Sequence, residues 1–174
     1  GPDSDIAFSI TESTNTHIQA AIQSNRYLLI THGSNVSGYS SVTVRATDSL
    51  GRMYDEQQID VVIGRKCDPC SEAFGLADNS WVIFPNKTVT VSHHYGFYIE
   101  DDNRISGIRI ISTSNPDESR IAAVGGLLTS YEGERAVDCR ACNLGGIDTT
   151  PPQPLAMTNR NMGGVWPGGC TSSV

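Results

Sequence analysis

The chain has 174 residues, a formal net charge of −7 and 38% apolar residues, of which few are aromatic. A chain of this length holds one large domain or two small ones, and this composition is typical of a soluble β-rich protein. The negative charge, without any cluster of Lys and Arg, argues against nucleic-acid or anionic-membrane binding. No apolar run approaches membrane-spanning length.

The clearest pattern runs from residue 38 to residue 63 and predicts two strands joined by a turn. Val42 and Val44 alternate with polar residues, as in a strand with one face on a core and the other in water. Residues 48–51, DSLG, supply turn chemistry, and residues 59–63 begin a second apolar run. An alternating strand is also predicted at residues 5–10, whereas residues 17–30 fit a helix and a strand equally well.

The order of these features over residues 6–63 resembles the immunoglobulin-like or cadherin-like repeats of bacterial and some eukaryotic surface proteins. The segments that carry the resemblance are YLLI at 27–30, NVSG at 35–38, VTVRATD at 42–48, the Gly51 turn and the strand that ends at 61–63. The resemblance implies a β-sandwich domain over residues 1–63 and a strand at 17–23. Such repeats mostly act as spacers or adhesion modules.

A second, cysteine-bounded β-rich domain is predicted over residues 64–142, after the Gly, Pro and charge of GRKCDPC. Asp68-Pro69 is expected to start one short helical turn that ends at Gly75. Strands are predicted at 81–84, at 89–99 and at 105–111. In the strand at 89–99, His93 shares a face with Val89 and Val91, and His94 points to the other side.

One further helix is predicted, because Asn115-Pro116-Asp117-Glu118 has the order of a helix start. It is expected to continue through Val124 and to end at Gly125-Gly126, before a strand at 127–131. An acidic turn also precedes the strand at 105–111. Its Glu100, Asp101 and Asp102 are minority candidates for a calcium site, although their spacing does not match an EF-hand loop.

The five cysteines are Cys67, Cys70, Cys139, Cys142 and Cys170. Two C-x-x-C pairs are able to form a tetrahedral zinc site, but they lie much further apart than the usual spacing of about 15 to 20 residues. A disulfide framework that ties the domain entry to its far end is therefore favoured, and closing so long a loop would stabilise the fold by about 4 kcal/mol. Cys170 is left to pair with one of the four or with a second chain.

An extracellular or cell-surface location is expected from the cysteines together with two glycosylation sequons. These begin at Asn35 and Asn86. Residues 143–174 are rich in Gly, Pro, Thr and Asn and are predicted to form an extended tail. The tail, or a free sheet edge, is a candidate for self-association by strand addition, alongside docking of the tail on its own chain.

The sequence predicts a non-enzymatic structural or adhesion protein, such as a subunit of a surface filament. No nucleophile, carboxylate pair or phosphate loop has the spacing that catalysis needs, and no cofactor is expected. The alternative is a carbohydrate-binding module of a larger secreted protein. For that function the candidates are Trp81, Tyr95, Tyr98 and Trp166, because exposed aromatic faces stack on sugar rings. Core packing is the competing role for each of these side chains.

Overall fold

The computed structural model describes residues 6–48, 50–114, 116–118 and 120–147. These residues form strands almost throughout, in three groups of paired strands, which confirms the all-β class. None of the helical residues described forms a segment long and apolar enough to cross a membrane. Cys170, Trp166 and the predicted tail beyond residue 147 lie outside the described residues.

The first five strands are β1 (Ile6–Ser13), β2 (Ile18–Gln23), β3 (Tyr27–His32), β4 (Gly38–Asp48) and β5 (Tyr54–Ile63). Strands β1, β4 and β5 form an antiparallel sheet in the order β1-β4-β5, and β2 pairs with β3 as a separate hairpin. Strand β2 lies within residues 17–30, whose periodicity fits a helix and a strand equally well. Ile18 from the hairpin and Val42 from the sheet are fully buried.

The turn between β4 and β5 is held by a side chain. One carboxylate oxygen of Asp48, Oδ1, accepts hydrogen bonds from the backbone nitrogens of Arg52 at 2.7 Å and Met53 at 3.2 Å. An Asp that satisfies its own turn in this way favours a tight connection. The turn thereby sets the register of the β4–β5 pair.

The remaining strands are β6 (Arg65–Lys66), β7 (Trp81–His93), β8 (Gly96–Glu100), β9 (Gly107–Ile111), β10 (Arg120–Tyr131) and β11 (Glu134–Ile147). The short helical turn predicted after Asp68-Pro69 is present as a 3-10 helix over Cys70–Gly75. Strand β11 continues past Cys142 to Ile147, so residues 143–147 of the segment predicted as an extended tail form the end of this strand.

Five of these strands close into a ring. Strand β7 pairs with β8 along one edge and with β10 along the other, and the circuit returns through β9 and β11 in the order β7-β8-β9-β11-β10. All neighbours are antiparallel except β9 and β11, which are parallel. The ring encloses a core whose largest fully buried side chains are Phe84, Phe97, Ile99, Ile110 and Leu128. Closure leaves the ring without free edges.

Two β-bulges bend β7 around this core. Its register shifts once between Phe84 and Lys87, opposite β10, and again between Val89 and Val91, opposite β8. Because a bulge inserts one residue, it reverses which side chains face inward. Val89 is fully buried whereas Val91 is 48% exposed, so the prediction that they share one face is wrong. The predicted single strand at 89–99 is in fact a hairpin, with its turn at His94-Tyr95.

The helix predicted from Asn115 through Val124 is also wrong. The described residues 116–118 are not helical, and β10 begins at Arg120. A cap, a proline and acids favour a helix start locally, but residues 122–127 pair with β7 along one edge and with β11 along the other. Pairing with two neighbours outweighs a local helix preference, which is worth less than 1 kcal/mol per residue.

A buried ionic network anchors the 3-10 segment to the barrel. The ammonium group of Lys87, which is 5% exposed, lies 2.6 Å from a carboxylate oxygen of Asp68 and 2.6 Å from one of Asp101. Asp101 also accepts hydrogen bonds from the backbone nitrogen of Cys70, at 3.1 and 3.0 Å, and from the hydroxyl of Ser106. The two buried charges, Lys87 and Asp101, are thus paired with each other and hydrogen-bonded, as burial requires, and Asp68 completes the network from a partly exposed position.

The network sets opposite pKa changes at its two buried charges. Burial works to raise the pKa of Asp101, but hydrogen bonds from Lys87, Ser106 and the Cys70 backbone outweigh it and hold the pKa below its ordinary value. For Lys87, burial works to lower the pKa, and hydrogen bonds to Asp101 and Asp68 raise it above the ordinary value. Both groups therefore remain charged at neutral pH.

Ring closure predicts that Gly126 does not tolerate a side chain. A Cβ atom there would overlap the backbone carbonyl of Asp138 on β11, whereas a Cβ at Gly75 would meet nothing within 4 Å. We expect Gly126→Ala to lower the free energy of unfolding by about 1 to 3 kcal/mol, since β10 must move against its partner. Gly75→Ala should stay within about 0.5 kcal/mol of the parent. Equal urea midpoints for the two variants would contradict this closely packed ring.

Removal of the Asp101 charge should weaken the fold most at neutral pH. We expect Asp101→Asn to lower the free energy of unfolding at pH 7 by about 3 kcal/mol, because Lys87 loses a buried partner. The folded pKa of Asp101 lies below its ordinary 3.8, so this stabilisation is present above pH 3.8 and lost as pH falls through the lower folded pKa. The gap between parent and variant should therefore shrink in acid.

Urea unfolding of both proteins at pH 7, 5 and 3 measures that gap. Glu56→Gln is the matched control, because the ion pair of Glu56 with Arg45 is exposed and should contribute less than about 1 kcal/mol at any pH. A gap between parent and Asp101→Asn that stays constant from pH 7 to pH 3 would show that the carboxylate charge does not stabilise the fold.

Candidate binding face on the barrel

Alternation along β8 and β9 places a polar face on the outside of the barrel. Phe97 and Ile99 on β8, and Ile108 and Ile110 on β9, point into the core and are at most 2% exposed. The residues between them, Tyr98 and Arg109, therefore point outward, and the register sets them opposite each other.

The hairpin between β10 and β11 brings three more side chains to the same place. The hydroxyl of Tyr98 donates to a carboxylate oxygen of Glu134 at 2.7 Å. The guanidinium of Arg109 lies 3.4 Å from Glu132 and 3.6 Å from Glu134, and its central carbon is 4.4 Å from the ring centroid of Tyr131. These five residues, Tyr98, Arg109, Tyr131, Glu132 and Glu134, are called the barrel face below.

The barrel face is partly shielded from water, and this shapes its electrostatics. Only 13% of the Arg109 side chain is exposed, and its Nε has no hydrogen-bond partner in the described part of the protein. Burial works to lower the pKa of Arg109, but Tyr98 and the two glutamates raise it. Burial and the hydrogen bond to Glu134 raise the pKa of Tyr98 above its ordinary 10.0.

A groove of about 570 Å³ continues the barrel face at Tyr131. Its other walls come from the β7–β8 turn, the segment after β9 and strand β11: His94, Tyr95, Ile111, Ser112, Thr113, Asp138 and Cys139. Tyr95 is 66% exposed and stands edge-on to His94, with 4.5 Å between ring centroids. Binding sites for small ligands commonly combine exposed aromatic rings with a few hydrogen-bonding groups in this way.

The structure brings together two of the four aromatic candidates for sugar stacking. Tyr98 belongs to the barrel face and Tyr95 to the groove beside it. Trp81 pairs with Leu127 at the start of β7 and lines a different pocket, with Tyr39 and Arg140. Trp166 lies outside the described residues.

The acidic turn is committed to internal cations. Asp101 is bound to Lys87, and Glu100 pairs with Arg104 at 3.0 Å. Across the described residues, no group of three or more His, Cys, Asp or Glu side chains converges in a way that would hold a metal ion. The weak calcium candidates Glu100, Asp101 and Asp102 and the weak zinc candidates Cys67, Cys70, Cys139 and Cys142 are thus not assembled into a site.

The four described cysteines are free thiols, so the disulfide framework expected between the two ends of the second domain is not formed in this structure. Cys67 and Cys70 are fully buried in the barrel core, and Cys139 and Cys142 pack against that core from β11. Burial and the charge of Asp101 raise the pKa of Cys70 to about 12. A thiol with so high a pKa is poorly reactive at neutral pH.

Both sequons present their asparagine to solvent. Asn35 lies in the turn before β4, and Asn86 lies at the first bulge of β7. Both have positive φ, 67° and 48°, which the short Asn side chain tolerates. Both side chains are exposed, as attachment of a glycan requires.

Sequence reasoning missed four members of the barrel face: Arg109, Tyr131, Glu132 and Glu134. One signal was present, since Arg109 stands between Ile108 and Ile110 in an otherwise apolar strand. Nothing local, however, indicates that β9 lies parallel to β11, and that register is what brings Arg109 to the glutamates.

No family model, curated protein or solved structure matches the chain.

The Tyr98 hydrogen bond predicts a measurable change in titration. The carboxylate of Glu134 accepts the hydrogen bond from the Tyr98 hydroxyl and disfavours the charged phenolate. Replacing Glu134 with Gln removes this carboxylate, so the pKa of Tyr98 should fall towards 10.0. Ultraviolet titration of Glu134→Gln, with and without Tyr98→Phe, isolates that tyrosine. Tyr39, whose pKa is raised by its own bond to Asp60, serves as the internal control and should not change. An unchanged Tyr98 midpoint would place Glu134 elsewhere in solution.

Proposed function

We propose that the chain is a non-enzymatic extracellular or cell-surface adhesion protein whose barrel face and adjoining groove bind a carbohydrate. The observation that carries the proposal is the contiguity of Tyr95, Tyr131 and Tyr98 with Arg109 and two glutamates on one outer surface. Sugars have apolar ring faces that stack on aromatics and hydroxyl groups that exchange hydrogen bonds with carboxylates and guanidinium groups.

Charge favours a neutral glycan over a polyanion. The one arginine of the barrel face is already flanked by Glu132 and Glu134, at 3.4 and 3.6 Å. The protein as a whole carries a net charge of −7. A phosphate backbone would meet repulsion here, because nucleic-acid affinity rests on neutralisation of phosphates by Lys and Arg.

The topology of the ring gives independent support. Counted in chain order, its strands follow the order 1-2-3-5-4 with strands 3 and 5 parallel, which is the connectivity of an OB-type Greek-key barrel. Barrels of that type bind oligonucleotides and oligosaccharides on the face of strands 2 and 3 and at the loops beside it. Strands β8 and β9 hold those positions. Fold analogy alone does not assign a function, so the proposal rests first on the side chains.

The first five strands are proposed to form an immunoglobulin-like or cadherin-like unit that acts as a spacer. These strands form a three-stranded sheet with a hairpin packed near it, and the chain enters the barrel after Ile63. This arrangement suits a spacer module that presents a binding domain. The exposed sequon residues Asn35 and Asn86 support an extracellular setting, in which the protein would itself be glycosylated.

The test replaces one exposed tyrosine at a time. Tyr95→Ala should weaken glycan binding about tenfold, which corresponds to the loss of about 1.4 kcal/mol of stacking. Tyr27→Ala is the matched control, because Tyr27 is 62% exposed on β3, away from the barrel face, as compared with 66% for Tyr95. The first measurement is retention of the parent on insoluble polysaccharides and on a glycan array, followed by titration of the best ligand.

Two results would overturn the carbohydrate proposal. One is a parent protein that no polysaccharide or arrayed glycan retains. The other is equal affinity of Tyr95→Ala and Tyr27→Ala for a retained glycan, which would place binding outside the groove.

A further inference from the structure

Strand β11 carries Cys139 and Cys142 on the same face, although residues three apart in a regular strand point to opposite faces. The cause is a β-bulge. Gly126 on β10 pairs with Cys139 and the preceding Gly125 pairs with Ala141, which leaves Arg140 as an extra residue. An extra residue reverses the alternation beyond it, so the spacing of the C-x-x-C motif becomes that of two neighbouring inward positions.

Burial of the surrounding residues agrees with this geometry. Cys142 pairs with Val124, which is 1% exposed and belongs to the barrel core. Val137, two residues before Cys139 and on the same face, is fully buried. Both cysteines pack against the core cluster while remaining partly accessible. Gly126, opposite Cys139, adds no side chain on that face.

The two thiols also interact with each other. Each thiol is the leading influence on the pKa of the other: Cys139 lowers the pKa of Cys142, and Cys142, together with burial, raises that of Cys139. Cys139 in addition donates to the carbonyl oxygen of Ala141 at 3.5 Å. A C-x-x-C pair in which one thiol has a lowered pKa is the arrangement of a reactive dithiol.

Both cysteines are partly exposed residues, and each borders an open groove. Cys139 contributes to the wall of the groove beside the barrel face. Cys142 lines a second groove, of about 600 Å³, between strand β5 and the outside of the barrel. Cys67 and Cys70, by contrast, are fully buried.

We propose that Cys139 and Cys142 form a redox-active dithiol that closes to a disulfide within β11 by exchange with a small-molecule disulfide. The Cys142 thiolate attacks one sulfur of the small disulfide, forming a mixed disulfide and releasing one thiolate, which takes up a proton. Cys139 then loses its proton to solvent and attacks the Cys142 sulfur, releasing the second thiol. Two protein thiols are oxidised to one disulfide, and one small disulfide is reduced to two thiols.

Trypsin offers a direct test, because it cleaves after Arg140, between the two cysteines. The parent protein is incubated with oxidised glutathione, blocked with an alkylating agent, digested without reduction and analysed by mass spectrometry. A disulfide between Cys139 and Cys142 joins the peptides 136–140 and 141–160. A bond from Cys139 to Cys170 would join 136–140 to 161–174, and a bond to Cys67 or Cys70 would join it to 67–87.

The expected result is the linked pair 136–140 and 141–160, formed before any other linkage, in a protein two hydrogens lighter. Either alternative linkage as the main product, or alkylated Cys139 and Cys142 after prolonged exposure, would overturn the proposal. The parent protein suffices for this measurement, so it does not depend on whether a variant folds.

Single variants test the order of the steps. Cys139→Ser should stop at the mixed disulfide and gain the mass of one glutathione at Cys142. Cys142→Ser should form a mixed disulfide at Cys139 more slowly, because burial, which remains when Cys142 is removed, still raises the pKa of Cys139. Cys70→Ser is the matched control and should form the β11 disulfide as the parent does. Equal rates for Cys139→Ser and Cys142→Ser would contradict Cys142 as the attacking group.

Discussion

The second half of the protein depends on one constraint: strand β7 must pair along both of its edges. Its pairing with β10 closes the sheet into a ring. Its pairing with β8 joins it, on the other edge, to the rest of that ring. A straight strand does not serve both partners, and the two bulges supply the bend. Pro85 and Asn86 suit the first bulge. Pro has no backbone N–H to pair with a neighbouring strand, and Asn tolerates a positive φ.

Closure also explains why the barrel tolerates charge in its interior. The ammonium group of Lys87 comes from the first bulge of β7 and enters a site made by the 3-10 segment and the β8–β9 turn. Both carboxylates that meet it are held in place by elements that the ring brings together. Desolvation offsets much of the attraction within a buried ion pair, whereas removal of one partner leaves the other charge buried and unpaired.

Sequence reasoning succeeded where structure is local and failed where it depends on distant pairing. The hairpin of β4 and β5 was predictable, since strict alternation and the turn residues around Asp48 point the same way. The short turn at Cys70–Gly75 was predictable for the same reason. Residues 121–124 looked helical because nothing nearby reveals the strands on either side of β10.

The candidate site shows the same division. Tyr95 and Tyr98 were identified as aromatics able to stack on a sugar, which is a property of the residue type. Arg109 and Glu134 were missed, because their relation exists only through the parallel register of β9 and β11. A bulge likewise hides the true facing of Cys139 and Cys142, since one inserted residue defeats any periodicity argument.

Strand β11 joins the two candidate chemistries of the protein. Its outward residues include Glu134 of the barrel face and Asp138 of the groove wall, whereas Cys139 and Cys142 point inward from the same strand. A disulfide across the Arg140 bulge would reduce the freedom of the strand at the point where it borders the groove. Binding at the groove then benefits from an edge that is already ordered, because less conformational entropy is lost on association. Under oxidising conditions the proposed disulfide would act chiefly as a local clamp behind the barrel face.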